Sequence, residues 1–425
     1  MKKIIKLIAI GVGAALSAHA QQTNLSGSVP AVTGIRPASA AAGVNVTLIG
    51  TNFSPNAASN IVYFGAVRAK VVSANVTNLT VTVPIGSTFA PITVTVNSLT
   101  ASSPAFFLPA FVGSGMLNSG SLSSPINLTA GDGPARVVIG DLDGDGKPDV
   151  VVANVYDGSV WIYRNTSTNG QLSTASFASP VVLPIGGGRD SLYGLALADL
   201  DGDGRLDIVT ANRNLNIVSI FQNLSLPGSL TTNSFGARVD LPTAGVPRSV
   251  AIMDLDGDGR PEIVSANEAS NTVSVFRNLG ISGLITTNSF ASPVNFGTGA
   301  GINWVVIADI DGDSKPDVVT GNSSSDSSVS ILRNTSSLGN ISFANAIGFE
   351  GIGGIASIAV GDLDGDGKLD IVYSSMQGQA VSVYRNISTP GNITTNSLAP
   401  HVDFGTSGWA NMVAIGDLDG DGKPD

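Results

Sequence analysis

The sequence predicts an all-β chain in which a small β-sandwich precedes an incomplete β-propeller. A charged fraction of only 12% and 51 glycines are typical of turn-rich β structure rather than of helical bundles. A nine-residue acidic motif, DLDGDGKPD in its first copy, recurs at intervals of 58, 55, 55, 53 and 55 residues. A fixed period of about 50 residues indicates a repeat built from one supersecondary unit. The six copies, called loop 1 to loop 6 in chain order, begin at Asp141, Asp199, Asp254, Asp309, Asp362 and Asp417.

Each repeat contains four short apolar runs in the same order. A run such as ARVVIGD enters the acidic loop, and a run such as VVVAN leaves it. An alternating run such as SVWIYRN follows, and a Ser/Thr/Gly-rich segment then leads to a fourth run such as SPVVLPI. Short runs rich in Val and Ile between turn residues are typical of strands, and four strands make one propeller blade. No segment has the pattern of a long amphipathic helix.

The propeller is predicted to occupy residues 123–425, with five full repeats and the start of a sixth. The segment SSPINLT at 123–129 resembles the fourth run and is predicted to be a strand that completes a blade at the other end of the ring. Its partner strands are expected beyond Asp425, so the chain is expected to be a fragment. The calcium site of loop 6, which has no second strand after it, is expected to be poorly formed.

Two segments precede the repeats. Residues 30–110 lack an acidic loop, and their runs NVTLIGTNF, IVYFGAV, AKVVSA, LTVTVP and ITVTVNS predict a small sandwich of the seven-strand type. Residues 111–122, FVGSGMLNSGSL, have the composition of a linker.

Residues 1–20 have the pattern of a secretory signal peptide. Three lysines precede an apolar stretch that is too short to span a bilayer, and Ala18-His19-Ala20 is typical of a cleavage site. We therefore expect an exported, extracellular or cell-surface bacterial protein without a membrane span. The chain contains no cysteine, so its rigidity has to come from something other than disulfides.

The acidic loops have the donor pattern of a calcium site. Carboxylates stand at positions 1, 3, 5 and 9 of each nine-residue loop, and glycines at positions 4 and 6 allow the backbone to wrap around an ion. Several hard oxygen ligands suit Ca²⁺ better than Mg²⁺. Position 7 is expected to offer its backbone carbonyl while its side chain points to solvent. The predicted ligands are Asp141, Asp143, Asp145, Lys147 and Asp149; Asp199, Asp201, Asp203, Arg205 and Asp207; Asp254, Asp256, Asp258, Arg260 and Glu262; Asp309, Asp311, Asp313, Lys315 and Asp317; Asp362, Asp364, Asp366, Lys368 and Asp370; Asp417, Asp419, Asp421, Lys423 and Asp425.

Two other interpretations of the loops were weighed. An acidic surface turn would explain one isolated copy, but the six loops hold 24 of the 32 acidic residues of the chain. Without a cation, such closely packed carboxylates would repel one another and several would become protonated. Six bound Ca²⁺ ions would change the formal charge without the signal lysines from −14 to about −2. An EF-hand fails, since position 12 after Asp141 is Val152 instead of a bidentate Glu.

Two loops depart from the common pattern. In loop 4, Ser314 replaces the glycine at position 6 and should strain the backbone. In loop 3, Glu262 replaces the aspartate at position 9, which changes the reach of the carboxylate. The sequence therefore predicts that loop 4 is the weakest calcium site.

The motif VAIGDLDGDGKPD followed by the pattern IV.AN...VSV.RN resembles the FG-GAP/VCBS repeats, bacterial relatives of the integrin α-chain propeller, over about 125–425. The resemblance implies that each loop joins the first and second strands of a blade and binds Ca²⁺ through positions 1, 3, 5, 7 and 9. It also implies a propeller that usually has seven blades. PAVTGIRPASAAAGVNVTLIGTNFSP with VYFGAV resembles an IPT/TIG domain, which has an immunoglobulin-like fold, over about 30–108.

The sequence favours a binding protein over an enzyme. With no Cys and with His401 as the only histidine after signal removal, no nucleophile and base set can be assembled. GGGRD at 186–190 lies between strands instead of opening a helix, so a phosphate cradle is not expected. The negative charge argues against a nucleic-acid partner. The rival class is an accessory or catalytic part of an extracellular polysaccharide-degrading enzyme.

The candidate ligand contacts lie in the connections on the face opposite the acidic loops, where the repeats differ. Aromatic and arginine side chains on loops held by a rigid scaffold are typical of binding contacts, here with a protein or a glycan. The alternative is that these side chains only pack locally between blades, above all the two tryptophans. The residues are Tyr156, Arg189, Tyr193, Arg213, Arg248, Glu268, Trp304 and Trp409.

Overall fold

The computed structural model describes residues 28–425 except 112, 114–115, 117, 119, 122, 169–171, 281–282 and 325–326. The predicted signal peptide and six positions of the predicted linker lie outside the described residues. In the described part the only helices are single 3₁₀ turns, and none of them could cross a bilayer. They are Ala57–Ser59, Thr174–Ser176, Thr232–Ser234 and Thr287–Ser289. The prediction of an all-β chain is confirmed.

The N-terminal domain is one sheet of eight strands folded around a core. The sheet order is β1-β3-β6-β5-β4-β7-β8-β2. Alternate residues of β3, such as Val46 and Leu48, are buried, because successive side chains of a strand point to opposite faces. Phe64 and Phe107 meet edge to face in the core, with ring centroids 4.8 Å apart. The strands are β1 (Ala31–Arg36), β2 (Ser39–Ala41), β3 (Asn45–Thr51), β4 (Ile61–Phe64), β5 (Val67–Ala74), β6 (Asn78–Thr82), β7 (Ala90–Val96) and β8 (Leu99–Ala110).

The repeats form five blades, each a four-stranded antiparallel meander in chain order. The four runs predicted for each repeat are therefore strands. Blade 1 is β9 (Pro134–Gly140), β10 (Asp149–Asn154), β11 (Ser159–Tyr163) and β12 (Val181–Pro184); blade 2 is β13 (Leu192–Ala198), β14 (Asp207–Asn212), β15 (Ile217–Phe221) and β16 (Val239–Pro242). Blade 3 is β17 (Pro247–Met253), β18 (Glu262–Asn267), β19 (Thr272–Phe276) and β20 (Val294–Gly297); blade 4 is β21 (Ile302–Ala308), β22 (Asp317–Asn322), β23 (Ser328–Leu332) and β24 (Ile347–Glu350); blade 5 is β25 (Ile355–Gly361), β26 (Asp370–Ser375), β27 (Ala380–Tyr384) and β28 (Val402–Gly405).

The first strand of each blade is innermost. The strands β13, β17, β21 and β25 line a central cavity of 420 Å³, and each packs beside the first strand of a neighbouring blade. All six residues of β14, β18, β22 and β26 are buried, since neighbouring blades cover both faces of the second strand. The fourth strands lie outside; every residue of β28 is exposed. Burial therefore falls from the second strand to the fourth.

One strand prediction is wrong. Residues 123–129, SSPINLT, form no strand in the structure, although the Tyr163 hydroxyl donates a hydrogen bond to the Thr129 carbonyl. Their apolar pattern matches the fourth run of a repeat, but a strand also needs a neighbouring strand to complete its hydrogen bonds. No such neighbour pairs with this segment among the described residues.

The N-terminal domain contacts the acidic-loop face of the propeller. Phe106, whose ring lies 5.1 Å from that of Phe89, joins it in lining the loop-side end of the central cavity. The domain also binds the backbone of three successive loops. The hydrogen bonds run from Asp141 N to Ala66 O at 2.8 Å, from the Tyr63 hydroxyl to Gly204 O at 2.9 Å, and from Thr100 N to Gly259 O at 2.6 Å.

Candidate metal-binding loops and the opposite face

Each acidic loop is wound by hydrogen bonds from its own backbone to its carboxylates. In loop 1 an Asp141 oxygen accepts the Gly146 amide at 3.0 Å, and Asp143 accepts the Asp145 amide at 3.2 Å. Gly144 and Gly146 have φ of 67° and 84°, values that a side chain strongly disfavours. The predicted turn with glycines at positions 4 and 6 is therefore confirmed for this loop.

This winding brings together carboxylates that are two or more positions apart in sequence. In each group below, one oxygen from every residue lies within 4.8 Å of the others. An Asp141 oxygen and an Asp311 oxygen are buried and have no hydrogen-bond partner among the described residues, which is the arrangement expected where an ion completes the site. The residues present therefore fit a cation. The groups are Asp141, Asp143 and Asp149; Asp199, Asp201 and Asp203; Asp254, Asp256 and Glu262; Asp309, Asp311 and Asp317; Asp362, Asp364 and Asp370.

The position-9 carboxylate fastens the loop to its blade. Asp149 accepts the amide of Leu142 at 3.0 Å and that of Asn165, just after β11, at 2.8 Å. Glu262 accepts the equivalent amides of Leu255 and Asn278 at 2.7 and 3.2 Å. The Glu262 side chain, which was predicted to change the reach of the carboxylate, therefore accepts the same two backbone amides as the shorter Asp149 does in loop 1.

A repeated asparagine after the third strand ties neighbouring blades together, which the sequence analysis did not predict. The Asn223 side-chain amide donates to Leu206 O in its own blade at 2.9 Å and to Leu142 O in loop 1 at 2.8 Å. A bond across 81 residues leaves no local signal, although the asparagine stands in every repeat. The same bond to the preceding loop is made by Asn278 to Leu200 O at 2.8 Å, by Asn334 to Leu255 O at 2.9 Å and by Asn386 to Ile310 O at 2.7 Å.

Cationic side chains also contact the loop carboxylates. Arg164, next to Asn165, binds Asp143 and lies 3.1 Å from Asp145, which partly neutralises loop 1. The position-7 side chains do not simply point to solvent as expected. Lys315 Nζ donates to the Ser336 carbonyl at 2.9 Å, because the turn brings its ammonium close to an acceptor on the same blade.

Burial raises the pKa of several loop carboxylates when no cation is present. Burial raises the pKa of Asp149 to about 7, and the charges of Asp143 and Asp141 add to the shift. Burial likewise raises the pKa of Asp199 to about 7 and that of Glu262 to about 9. The sequence analysis expected this direction but assigned it to repulsion between the acids. Burial is the larger cause.

Loops 4 and 6 test two further expectations. Ser314 has φ of 69°, the left-handed region that its glycine counterparts occupy, so loop 4 carries the strain that the sequence predicts. Loop 6 makes the same internal bonds as loop 1: Asp417 accepts the Gly422 amide at 3.0 Å, and Asp425 accepts the Leu418 amide at 2.8 Å. The turn of loop 6 is therefore formed, because its bonds are local, and the poor formation of its calcium site stays a prediction.

The face opposite the loops carries an arginine and aromatic cluster. It lies where the first strands begin and the second strands end. The Arg248 guanidinium stacks on the Tyr193 ring at 4.6 Å and donates to both oxygens of Glu268, at 2.7 and 3.0 Å. Arg213 Nε lies 3.6 Å from a Glu268 oxygen. Four of the predicted contact residues are therefore brought together.

The other predicted contacts form two further pairs, with one exception. The Arg189 guanidinium lies 4.4 Å from the Tyr156 ring centroid. Trp304 lies 4.7 Å from the guanidinium of Arg136, a residue that the sequence analysis missed. Arg136 could have been found from its register, since other blades have Gly, Ser or Trp at this place in the first strand. Trp409 is 71% exposed outside the strands and joins none of these described contacts.

Comparison with known proteins matches this architecture. Residues 111–152, 141–210, 199–265, 254–320, 315–373 and 362–425 match the FG-GAP-like repeat, and residues 30–108 match the IPT/TIG domain. Both resemblances inferred from the motifs are confirmed.

Individual relatives are more distant. Cartilage acidic protein 1 of Xenopus tropicalis is 24% identical over 319 residues, and that of Mus musculus is 25% identical over 327 residues. Each alignment covers 70% of this chain and 48% of the relative, so the chain spans about half the length of the curated relatives it matches. An auxiliary nutrient binding protein of Bacteroides ovatus is 13% identical, with a TM-score of 0.40, over 89% of this chain and 86% of its own.

Proposed function

The chain belongs to the FG-GAP-like repeat family, and on that premise we propose that it is an exported, calcium-stabilised β-propeller that binds a protein or a glycan. The proposed ligand lies on the face opposite the acidic loops. The observation that carries the proposal is the pairing of Tyr193, Arg248 and Glu268 at one mouth of the central cavity. Stacked arginines and aromatic rings on connections between rigid strands are typical of recognition surfaces.

The proposed role of calcium is structural. The carboxylate groups of the loops and the partnerless Asp141 oxygen support binding of a hard cation with several oxygen ligands. Up to six ions would bind, with loop 6 lacking the asparagine amide that Asp149 receives in loop 1. Bound ions would lock the turns that carry the blade-to-blade bonds. In a chain without cysteine they would take the place of disulfides.

A glycan array probed with the chain in calcium buffer tests the binding role. We expect retention on at least one class of extracellular glycan, with no release of product from the retained polysaccharide. Loss of this retention in Arg248→Gln, but not in Arg68→Gln on the N-terminal domain, would assign it to the opposite face. Release of new reducing ends would instead favour the rival class, a polysaccharide-degrading enzyme.

A further inference from the structure

We propose that the mouth of the central cavity opposite the loops recognises a carboxylate-bearing sugar, a uronic acid unit of an acidic glycan. The inference rests on the proposed binding function and adds the chemical class of the ligand. It is carried by the arginines of the opposite face and by the hydrogen-bond donors that they leave without an acceptor.

The first observation is an excess of positive charge in an acidic protein. Arg213 and Arg248 share the Glu268 carboxylate, Arg136 lies against Trp304, and the second acid beside the cluster is Asp190, which accepts from the Tyr193 hydroxyl. Burial lowers the pKa of Arg136, and the charge of Arg248 lowers it further. The formal charge of the whole chain is −11, which makes a local excess of cations costly unless an anion joins it.

The second observation is a pair of unused donors. Arg136 Nε and Arg213 Nε are both buried, and neither has a hydrogen-bond partner in the described structure. Arg213 Nε lies 3.6 Å from Glu268, which is beyond hydrogen-bond distance. Buried N–H groups almost always have an acceptor, and a guanidinium edge matches a carboxylate. A ligand carboxylate that displaces the side chains covering these two N–H groups would satisfy them.

The third observation is the way in which the guanidiniums are held. Arg136 stacks on Trp304, and Arg248 stacks on Tyr193. Stacking fixes the plane of a guanidinium and leaves its edge free for hydrogen bonds. The pair Arg189 and Tyr156 continues the row, since Tyr193 follows Arg189 closely in the same connection. The cluster is therefore preorganised for an anion.

Two features favour a sugar acid over the carboxylate of a protein side chain. The cavity behind the mouth has a volume of 420 Å³, which lies in the range of small-molecule sites rather than of flat protein interfaces. Aromatic rings edge the mouth, and the Tyr156 side chain is 38% exposed, so ring faces and hydroxyl-binding groups stand beside the guanidiniums. A sugar ring that carries a carboxylate uses both kinds of contact.

Calorimetric titration of the full chain in calcium buffer tests the proposal with a matched pair of ligands. The probes are a galacturonic acid trimer and its methyl ester, which has the same ring and linkage without the charge. We expect the acid to bind and the ester to bind at least about tenfold more weakly, as for loss of one charge-assisted hydrogen-bond pair. Arg136→Gln and Arg213→Gln should each lower the affinity for the acid trimer by a similar factor. Melting temperatures would show that both variants fold.

Arg68→Gln removes the same charge from an exposed position of the N-terminal domain and should leave the affinity unchanged. Equal binding of acid and ester, or equal weakening by all three variants, would overturn the proposal. So would stronger binding of a poly-glutamate peptide than of the trimer, which would assign the mouth to an acidic protein. If neither probe binds but the glycan array retains the chain, only the ligand class is wrong. If the array also fails, the binding function itself fails.

Discussion

The two faces of the propeller differ in what the repeats share. On the loop face, the position-1, position-9 and asparagine contacts recur from blade to blade with nearly the same distances. On the opposite face, Arg136, Tyr193, Arg248 and Trp304 stand where sibling blades have other side chains. The loop face is also covered in part by the N-terminal domain, as the bond from Thr100 N to the third loop shows.

On the proposed function, the two faces separate stability from recognition. Each loop carboxylate satisfies backbone amides that would otherwise be buried without a partner, so a changed residue there leaves unpaired groups. On the opposite face the strands are already paired at their ends, and a side chain can change without disturbing the scaffold. Substitutions should therefore affect stability on the loop face and binding on the other.

Among the changes that leave the calcium content fixed, the largest expected effect is that of pH on the calcium-free protein. Burial raises the pKa values of Asp149 and Asp254 to about 7, whereas their ordinary value is 3.8. The folded state therefore holds protons that the unfolded state releases, so stability is present below about pH 4 and is lost as pH rises toward 7. In EDTA we expect the melting temperature to fall by about 5 °C or more between pH 5 and pH 8.

Excess calcium keeps these carboxylates ionised in the folded state and should remove this dependence. Calorimetry at both pH values, with EDTA or with calcium, measures the difference. A melting temperature in EDTA that rises with pH over this range would contradict the account.

Removal of a single carboxylate should affect stability strongly on the loop face and weakly on the opposite face. Asp199→Ala removes a position-1 ligand and the acceptor of the Gly204 amide, which lies 2.9 Å away. It should lower the free energy of unfolding by about 2 to 4 kcal/mol in calcium. The loss should be much smaller in EDTA. Asp132→Ala, an exposed aspartate of the opposite face, is the control and should change stability by less than about 0.5 kcal/mol.

Removal of an asparagine that forms hydrogen bonds between neighbouring blades should have a smaller effect on stability. Asn334→Ala removes the donors to Leu255 O and Pro316 O, at 2.9 and 2.8 Å, and leaves both carbonyls short of a partner. Denaturant unfolding should show a loss of about 1 to 3 kcal/mol. Asn214→Ala removes two exposed bonds on the opposite face and should cost less than about 0.5 kcal/mol. An equal loss of unfolding free energy in the two variants would contradict the view that contacts on the loop face contribute more to stability than contacts on the opposite face.

The smallest effect concerns the strained serine. Ser314→Gly should stabilise loop 4 by about 1 kcal/mol, because glycine adopts φ of 69° without strain. Gly367→Ser is the reverse change in loop 5, where a Cβ would meet no atom within 4 Å. It should weaken calcium binding there by a similar amount, as titrations of single-loop variants would show. Tightest binding at unmodified loop 4 would contradict the prediction.

The sequence predicted what depends on short spacing and missed what depends on distant partners. The loops follow from nine consecutive residues, and three of the four predicted carboxylates of each of the first five loops cluster. The tie from Asn223 to Leu142 crosses 81 residues, so only the fold reveals it. SSPINLT has the pattern of a strand but forms no ladder among the described residues, because pairing is a property of the neighbour as well as of the segment.

The docking of the N-terminal domain was also invisible in the sequence. Its contacts use backbone groups such as Gly204 O and Gly259 O, which any residue could offer. The predicted residues of the opposite face, except Trp409, do meet in described contacts, and their role in binding stays a prediction. Arg136 was missed because it lies inside a strand that was interpreted only as apolar.

Calorimetry of the full chain at neutral pH, in calcium and then in excess EDTA, tests the central claim most directly. If the ions fix the loops that join the blades, chelation should lower the melting temperature by about 10 °C or more, and added calcium should restore it. Magnesium at the same concentration should restore much less. The same melting temperature in calcium and in EDTA would contradict the account.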